Sequence, residues 1–403
     1  MYDAIVVGAR VAGAPTAMLL ARKGHRVLLV DRASFPSDTM STLIIWQTGV
    51  GKLKQWGLLD KLTATGLPAN TKFTMDLGDF PLAGWAPPVD GVTDSYAPQR
   101  KVIDKILVDA AIEAGVEFRE KFSVQELLFE GEQVVGIRGR SDDGQTVEER
   151  ARFVVGADGR NSVVSRTLDP ETYDDVASLS CFYYTLFSGV ESDSYEDYWP
   201  GSQFILTVPT NDDLLLIVTG MPIGRFHEFR SDIESNFMAS IDKIPSLSEK
   251  VRAGRREERF MGTAALSNYF RKPYGLGWAL VGDSGYARDP ITAFGISDAF
   301  RDAELLADAL GETLSGSRPA TDALGDYESA RNEAAKPLYQ MTLKAAEYNQ
   351  HTPNAMELRA ALRDKPEDTD QFIGVVLGTV PYRSFFNTEN LERILGHSLP
   401  RRS

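Results

Sequence analysis

The sequence predicts a mixed α/β protein in which a parallel sheet is accompanied by an antiparallel sheet and a helical C-terminal region. Three observations predict this class. The first 32 residues have the pattern of strand, glycine turn, helix and strand, which is a βαβ unit. Residues 151–166 and 277–310 again run from an apolar strand into a turn of glycine and aspartate. Between them, residues 180–220 have the pattern of short antiparallel strands.

Composition limits the class of protein and of partner. A length of 403 residues predicts two domains, or one large domain with a lobe. The net charge of −14, with no block of Lys or Arg, argues against nucleic acid as a partner. The single cysteine, Cys181, excludes an intrachain disulfide, and the 4 histidines stand too far apart to pair, so no metal site is expected.

The apolar N-terminus does not have the pattern of a signal peptide or a membrane segment. Gly8, Arg10, Gly13 and Pro15 interrupt it, and the first residues lack a positively charged region. We therefore expect a cytoplasmic protein without a membrane span.

The opening stretch, YDAIVVGARVAGAPTAMLLARKGHRVLLVDR, contains the first candidate site. Gly8 allows a tight turn off the first strand, and Gly13 allows the following helix to pack closely on the sheet. The N–H groups at the start of that helix attract a pyrophosphate. Asp31, at the end of the second strand, is placed to accept a hydrogen bond from a ribose hydroxyl. These features predict a dinucleotide site.

Arg10 stands where the G-x-G-x-x-G fingerprint has its second glycine. The backbone of an arginine cannot approach the phosphates as closely as that of glycine, but its guanidinium can add a charge-assisted contact. The sequence leaves open whether Arg10 holds a phosphate or points to solvent.

Two later motifs extend the site. In ARFVVGADGRNSVVSR a buried strand runs into Asp158 and Gly159, and in GWALVGDSGYARDPITAFGISDAFRDAELLADAL a strand and a Gly-Asp turn precede a long amphipathic helix. Each turn alone is common, but three strand-turn elements in this order are not expected by chance.

With these motifs, residues 1 to about 340 resemble the FAD-dependent oxidoreductases of the aromatic-hydroxylase superfamily, the class A flavoprotein monooxygenases. Relatives of that superfamily include flavin-dependent halogenases and geranylgeranyl reductases. The resemblance implies a Rossmann-like FAD-binding domain of aromatic-hydroxylase type, formed by residues 1–70, 96–178 and 260–340. It implies a substrate-binding domain with an antiparallel β-sheet, formed by residues 71–95 and 179–259. Residues 341–403 are expected to form a mostly helical C-terminal region.

The resemblance also implies roles toward FAD. The glycines and the aspartate of the first motif would hold the ADP half, Asp158 would lie near the pyrophosphate, and Asp283 would bind the ribityl or phosphate region. Arg100, in QRKVIDKIL, matches an arginine of the family that reaches the flavin. Pro290 and Gly295 would frame the loop against the isoalloxazine. The expected FAD-binding residues are Gly8, Arg10, Val11, Ala12, Gly13, Asp31, Arg32, Arg100, Asp158, Asp283, Pro290, Gly295 and Ile296.

The third motif departs from a common aromatic-hydroxylase pattern. Tyr286 stands where Gly-Asp-Ala-Ala-His has its histidine. Asp289-Pro290 and Gly295-Ile296 are more similar to the halogenase and geranylgeranyl reductase branches. These differences leave hydroxylation, halogenation and reduction open.

The antiparallel region predicts the wall of a substrate cavity. QFILTVP and DLLLIVTG, joined by TNDD, indicate a hairpin, and SCFYYTLFSGV indicates an aromatic strand. With residues 71–80 they are expected to form a sheet that covers the flavin. Because pockets favour domain junctions, the cavity is expected between this sheet and the 283–296 loop. The side chains expected to line it are Phe73, Met75, Phe182, Tyr184 and Phe204.

The first interpretation is an FAD monooxygenase that hydroxylates a small aromatic or polyketide-like molecule. In that class, as the resemblance implies, reduced flavin and O2 form a C4a-hydroperoxide that a dry pocket preserves. Only one dinucleotide fingerprint is recognised in the sequence. NAD(P)H is therefore expected to bind transiently as reductant, or a partner flavin reductase supplies the electrons.

Two alternatives remain open. A flavin-dependent halogenase needs a lysine between flavin and substrate, for which Lys72 is the candidate, although the 5 tryptophans never form W-x-W-x-x-I-P. An FAD-dependent reductase would saturate an isoprenoid-like double bond. For the monooxygenase interpretation the sequence identifies no catalytic residue.

Overall fold

A computed structural model describes residues 1–192 and 194–398, so residue 193 of the predicted substrate domain and residues 399–403 of the predicted C-terminal region lie outside the described residues. The structure confirms the predicted fold class, with a parallel sheet, a second, largely antiparallel sheet and a helical C-terminal region. In the part of the chain that is described, no helix is both long enough and apolar enough to cross a membrane.

The strands include the predicted apolar runs and further short segments that are not apolar, such as Arg255–Arg256. In chain order they are β1 (Tyr2–Val7), β2 (Val27–Val30), β3 (Phe73–Asp76), β4 (Pro81–Gly84), β5 (Glu117–Arg119), β6 (Ser123–Glu130), β7 (Gln133–Arg140), β8 (Thr146–Gly156), β9 (Thr172–Val176), β10 (Ser180–Ser188), β11 (Tyr195–Tyr198), β12 (Phe204–Thr210), β13 (Leu214–Pro222), β14 (Arg255–Arg256), β15 (Met261–Thr263), β16 (Asn268–Arg271), β17 (Tyr274–Gly275), β18 (Trp278–Leu280) and β19 (Tyr286–Ala287).

The helices connect these strands and form most of the C-terminal region. They are α1 (Gly13–Arg22), α2 (Gln47–Gln55), α3 (Leu59–Thr63), α4 (Arg100–Glu113), α5 (Val163–Leu168), α6 (Phe226–Ser231), α7 (Ile233–Ile241), α8 (Pro245–Ala253), α9 (Gly295–Ser315), α10 (Ala320–Ala345), α11 (Pro353–Leu362), α12 (Pro366–Val376), α13 (Tyr382–Phe385) and α14 (Thr388–Leu395).

The first sheet contains the three strand-turn motifs. Its strand order is β17-β18-β8-β1-β2-β5, and the run from β18 to β5 is parallel. Alternate residues of β1 enter two cores: Ala4 and Val6 face α1, α4 and α9, whereas Ile5 and Val7 face β6, β7 and α5. Because both faces are covered, the parallel strands are almost continuously apolar. Because these strands run parallel, the carboxyl ends of β1, β2, β8 and β18 meet at one edge of the sheet.

The second sheet has the order β14-β10-β13-β12-β11-β3-β4. The predicted hairpin is formed by β12 and β13, and β10 pairs antiparallel with β13. Its two faces bury different cores. One contains Phe182, Phe204 and Trp199, and the other contains Tyr183, Ile205 and the apolar side chains of α6–α8.

The third sheet and the C-terminal helices complete the fold. The third sheet has the order β19-β16-β9. Ile373 of α12 belongs to the Phe182 core, and Arg359 of α11 donates to the Phe80 carbonyl at 2.7 Å. Through these contacts the C-terminal region packs on the second sheet.

Candidate functional site

A cavity of about 640 Å³ lies where the carboxyl ends of the parallel strands face the second sheet. Residues of all three strand-turn motifs line it, as do residues 39–42 and side chains of β10. Of the expected FAD-binding residues, those that line the cavity are Gly8, Arg10, Val11, Ala12, Asp31, Arg32, Arg100, Asp158, Asp283, Pro290, Gly295 and Ile296. Gly13 lies behind this lining and acts through packing.

The turn between β1 and α1 requires both glycines. Gly8 has a φ of +101°, and a Cβ there would lie 2.4 Å from the Ala157 oxygen. A Cβ at Gly13 would lie 1.8 Å from the Gly8 oxygen. Because no side chain fits at either position, α1 begins directly behind the cavity wall with its N-terminus toward the cavity.

Asp31 terminates β2 with its carboxylate held in a fixed orientation. Its Oδ2 accepts a hydrogen bond from the Ala9 N–H at 2.7 Å, and its Oδ1 accepts one from the Ala33 N–H at 2.8 Å. Each carboxylate oxygen can accept more than one hydrogen bond, so the group can still accept one from a hydroxyl in the cavity. This geometry fits a ribose.

Arg10 and Arg100 share one buried carboxylate, Asp104, which was not predicted from the sequence. Arg10 Nη1 lies 2.6 Å from Asp104 Oδ2, and Arg100 Nη2 lies 3.0 Å from Asp104 Oδ1. The Asp104 side chain has no exposed surface, and the Arg10 side chain is 22% exposed. The group therefore presents a net positive charge at the cavity, which suits a phosphate.

Arg10 also holds the segment that follows β2, so it is not directed only to solvent. Its guanidinium donates to the Ser37 carbonyl at 3.2 Å and to the Ser37 hydroxyl at 3.2 Å, and it lies 5.3 Å from the centre of the Phe35 ring. The next residues, 39–42, line the cavity. Arg10 thus ties this segment to the βαβ turn.

The second and third motifs contribute two carboxyl groups of different character. Asp158 Oδ2 accepts a hydrogen bond from the Val163 N–H at 2.6 Å, while its buried Oδ1 has no partner among the described residues. Burial raises the pKa of Asp158. Asp283 is more exposed and lies 3.3 Å from Arg160 Nε. A buried acceptor without a donor fits a ligand hydroxyl better than a phosphate.

A buried charge cluster that was not predicted from the sequence lies in the first turns of α9. Arg288 Nη2 is 2.7 Å from Asp298 Oδ2, Arg301 Nη1 is 2.8 Å from Asp298 Oδ1, and Arg301 Nη2 is 2.7 Å from Asp302 Oδ1. Burial raises the pKa of Asp302, and the nearby Arg301 lowers it in part. The i, i+3 and i+4 spacing in DAFRD was the available signal, since it places three charges on one helix face.

The expected substrate residues divide into two groups. Phe182 and Tyr184 line the cavity, together with Val218 and Leu266. The structure does not bring Phe73, Met75 and Phe204 to the cavity. Phe73 and Phe204 are core residues, with ring centres 4.8 Å from Tyr195 and 4.9 Å from Trp199, respectively, and Met75 packs against the same core.

Lys72 lies on the surface and is not part of the cavity wall. It lies one residue before β3 and is exposed, whereas the next residue, Phe73, is buried. Among the described residues that line the cavity, the basic side chains are arginines.

These residues fit an FAD. The two-glycine turn brings α1 to the cavity, the Arg10–Asp104–Arg100 group carries positive charge, and the Asp158 carboxyl provides an unpaired acceptor. The cavity continues from this edge to the aromatic wall of β10, as an extended dinucleotide with a reactive ring requires.

Comparison with known proteins agrees with this fit. Residues 1–342 match the family described as FAD binding domain. The digeranylgeranylglycerophospholipid reductase of Methanosarcina mazei is 28% identical over 326 residues, which cover 78% of this chain and 76% of that protein. The 1H-pyrrole-2-carbonyl-[peptidyl-carrier protein] brominase of Pseudoalteromonas luteoviolacea is 22% identical over 331 residues, which cover 78% of each chain.

Solved structures show the same fold. The myxobacterial chondrochloren halogenase CndH superimposes with a TM-score of 0.81 at 22% identity, covering 100% of this chain and 98% of that one. A flavoprotein/dehydrogenase from Cytophaga hutchinsonii superimposes with a TM-score of 0.82 at 18% identity, covering 98% of both chains. Since the family match spans residues 1–342, the chain belongs to the FAD-binding-domain family and is an FAD-dependent oxidoreductase.

Proposed function

We propose that this chain is an FAD-dependent monooxygenase that hydroxylates a small aromatic or polyketide-like molecule with NAD(P)H and O2. The observation that supports the proposal best is the far end of the cavity. There Phe182 and Tyr184 of β10, with Val218 and Leu266, face the loop from Pro290 to the start of α9. An apolar and aromatic wall favours a flat apolar substrate and excludes water from the reacting atoms.

FAD, when bound, supplies the transfer of electrons from NAD(P)H to O2. The chain contributes binding through the βαβ turn and Asp31, and positive charge through Arg10 and Arg100. It contributes orientation through the Pro290 loop and exclusion of water through the β10 wall. NAD(P)H is proposed as a transient reductant, and delivery of electrons by a partner flavin reductase is the alternative.

Reduction of an isoprenoid-like double bond is the second candidate. It is supported by the curated relatives named digeranylgeranylglycerophospholipid reductase, of which the one from Methanosarcina acetivorans is 27% identical over 363 residues. Halogenation has support in the names of the brominase relative and the halogenase structure. It is the weaker candidate, since Lys72, the candidate lysine, lies outside the cavity.

The first test is the visible spectrum of the purified protein during anaerobic addition of NADPH and then NADH. Bleaching of a flavin band by either nucleotide supports a self-sufficient enzyme. Bleaching only by dithionite supports a partner reductase.

The reaction is then assigned from product mass after turnover with and without O2, and with and without bromide, on a panel of phenols and a polyprenyl diphosphate. A gain of one oxygen atom supports the monooxygenase. A gain of two hydrogen atoms without need of O2 contradicts it in favour of the reductase. A product whose mass depends on added halide contradicts both the monooxygenase and the reductase.

A further inference from the structure

A buried carboxyl group with one unpaired oxygen lies in the cavity wall. Asp289 is 1% exposed and precedes Pro290 of the loop that lines the cavity. Its Oδ1 accepts a hydrogen bond from the Ile291 N–H at 3.1 Å, and its own N–H donates to Asn268 Oδ1 at 2.6 Å. Its Oδ2 has no hydrogen-bond partner among the described residues. The loop therefore fixes the carboxyl through Oδ1, while the buried Oδ2 is left without a hydrogen bond.

Two hydroxyl groups lie behind this carboxyl and are also buried. Ser180 begins β10, and its hydroxyl faces both Asp289 and Tyr348, although neither contact has full hydrogen-bond geometry. Tyr348 is 5% exposed and has a φ of 56°, a left-handed conformation that is unusual for a residue other than glycine. Backbone strain of this kind persists where the surroundings over-determine it, often at functional sites.

The C-terminal region supplies this tyrosine. Residue 348 lies beyond residues 1–342, which match the FAD-binding family. The tyrosine ring is 6.1 Å from the ring of Trp199, and a Cβ on Gly220 would lie 3.0 Å from its hydroxyl. The residue is therefore packed between β13 and the end of α10, with its hydroxyl toward the cavity wall.

The charges around Asp289 set its proton affinity. Burial raises the pKa of Asp289 to about 6, while the Ser180 hydroxyl, the Ile291 N–H and the more distant Arg160 favour the charged form. The charge of Asp289 also acts on the Tyr348 phenol and, from the opposite face of β10, on the Cys181 thiol. Burial raises the pKa of both groups above their usual values, so they are neutral near pH 7. The carboxyl is thus able to release and regain a proton near neutral pH.

We propose that Asp289 donates the proton that each turnover consumes in the cavity, and that Ser180 and Tyr348 position its carboxyl. The proposal rests on the proposed function and assigns it a catalytic residue. Hydroxylation of a substrate RH consumes one proton, since FADH⁻ + O2 + RH + H⁺ gives FAD + ROH + H2O. Without substrate, FADH⁻ + O2 + H⁺ gives FAD + H2O2. The Asp289 carboxyl loses the proton and recovers it from solvent.

The substrate-free reaction gives a test that does not depend on hydroxylation. Holoenzyme is reduced with dithionite and mixed with O2, and flavin reoxidation is followed across a pH series centred on 6. In the wild type the rate is expected to fall as pH rises through that value, because the acid form is lost. Asp289→Asn is expected to slow reoxidation by about 10²-fold and to remove the pH dependence.

Matched variants separate this role from burial in general. Asp197→Asn removes another buried carboxyl of the second sheet, whose pKa burial raises to about 8, away from the cavity wall. It is expected to retain the wild-type profile. Tyr348→Phe is expected to move the midpoint of the profile upward, because the carboxylate loses a polar neighbour. Tyr339→Phe, which removes a buried phenol of α10 bonded to the Asp174 carbonyl, is expected to leave it unchanged.

A second readout uses the apoprotein. Because the folded-state pKa of Asp289 is raised, the native state binds the extra proton between pH 3.8 and about 6, so the group's contribution to stability falls as pH rises through that window. Asp289→Asn is expected to remove the part of the fall in unfolding temperature that ends near pH 6, whereas Asp197→Asn is expected to remove a part that continues to about pH 8.

The outcomes are distinguishable. If Asp289→Asn retains FAD together with the wild-type rate and pH profile, the proposal is overturned. If the variant does not retain FAD, an unchanged pH profile in Tyr348→Phe or an unchanged pH dependence of the apoprotein overturns it. A changed profile with no hydroxylated product from the panel supports the proton role and contradicts the monooxygenase.

Discussion

The two sides of the cavity are built in different ways. On the parallel-sheet side, the backbone makes the site: Gly8 and Gly13 bring α1 to the cavity, and the end of β2 places Asp31. On the antiparallel side, tertiary contacts determine whether a side chain lines the cavity or packs in the core. Phe182 and Phe204 both lie opposite Gly220, yet the first lines the cavity and the second packs on Trp199. A local motif therefore identifies the first side, whereas the second depends on tertiary packing.

The largest effect is expected from a substitution in the glycine turn on the parallel-sheet side of the cavity. Gly13→Val is expected to abolish FAD retention, because even a Cβ would lie 1.8 Å from the Gly8 oxygen and α1 would have to move from the cavity. The ratio of flavin to protein absorbance in the purified variant measures this. Gly51→Ala in α2, where a Cβ meets nothing within 4 Å, is the matched control. A fully loaded Gly13→Val protein would contradict the packing role.

The difference between local motifs and tertiary packing explains which parts of the fold and site could be predicted from the sequence. The βαβ unit, the three motifs and the hairpin were predicted because each depends on residues close in sequence. The shared Asp104 was missed, although Arg100 and Asp104 have i, i+4 spacing, because its second partner is 94 positions away. From its position in the fingerprint, Arg10 was expected either to hold a phosphate or to point to solvent. Neither alternative included its contact with Asp104.

The second effect is expected from substitutions in the second sheet, which forms the antiparallel side of the cavity. Phe204→Ala is expected to lower the free energy of unfolding by about 3–5 kcal/mol, because Phe204 is 2% exposed in the core, and to leave KM unchanged. Phe182→Ala is expected to lose less stability and to raise KM, since it widens the cavity. Denaturant unfolding and steady-state kinetics measure the two. The same change in KM for both variants would mean that the cavity wall extends to Phe204.

Sequence patterns could not separate these two phenylalanines. Both belong to apolar strands with the same facing direction, and their exposures are similarly low. In the fold, Phe204 packs on Trp199, which lies beyond the end of β11, whereas Phe182 lines the cavity. The helices α6–α8 were also not predicted, although Asp232 caps α7 by accepting from the Ser235 N–H. They cover the far face of the sheet and do not reach the cavity lining.

A smaller effect is expected at Arg10, which ties residues 39–42 of the cavity wall to the βαβ turn. Arg10→Ala removes the bonds to Asp104 and Ser37 and is expected to cost about 2 kcal/mol of stability, since Arg100 still pairs with Asp104. Release of residues 39–42 is expected to weaken FAD binding about tenfold, which corresponds to about 1.4 kcal/mol. Fluorescence titration of the apoprotein measures it. Lys61→Ala, which breaks an exposed pair with Glu113, is the control. An unchanged affinity would show that other contacts hold the segment.

The smallest effect is expected at Lys72. Because its side chain is exposed and outside the cavity, Lys72→Ala should change stability by no more than about 0.5 kcal/mol and leave flavin reduction and product formation at wild-type rates. Turnover on the phenol panel with and without bromide measures this. A bromide-dependent product that disappears in the variant would place Lys72 in the reaction. It would also require the segment before β3 to move over the cavity, so that motion as well as packing would determine the wall formed by the second sheet.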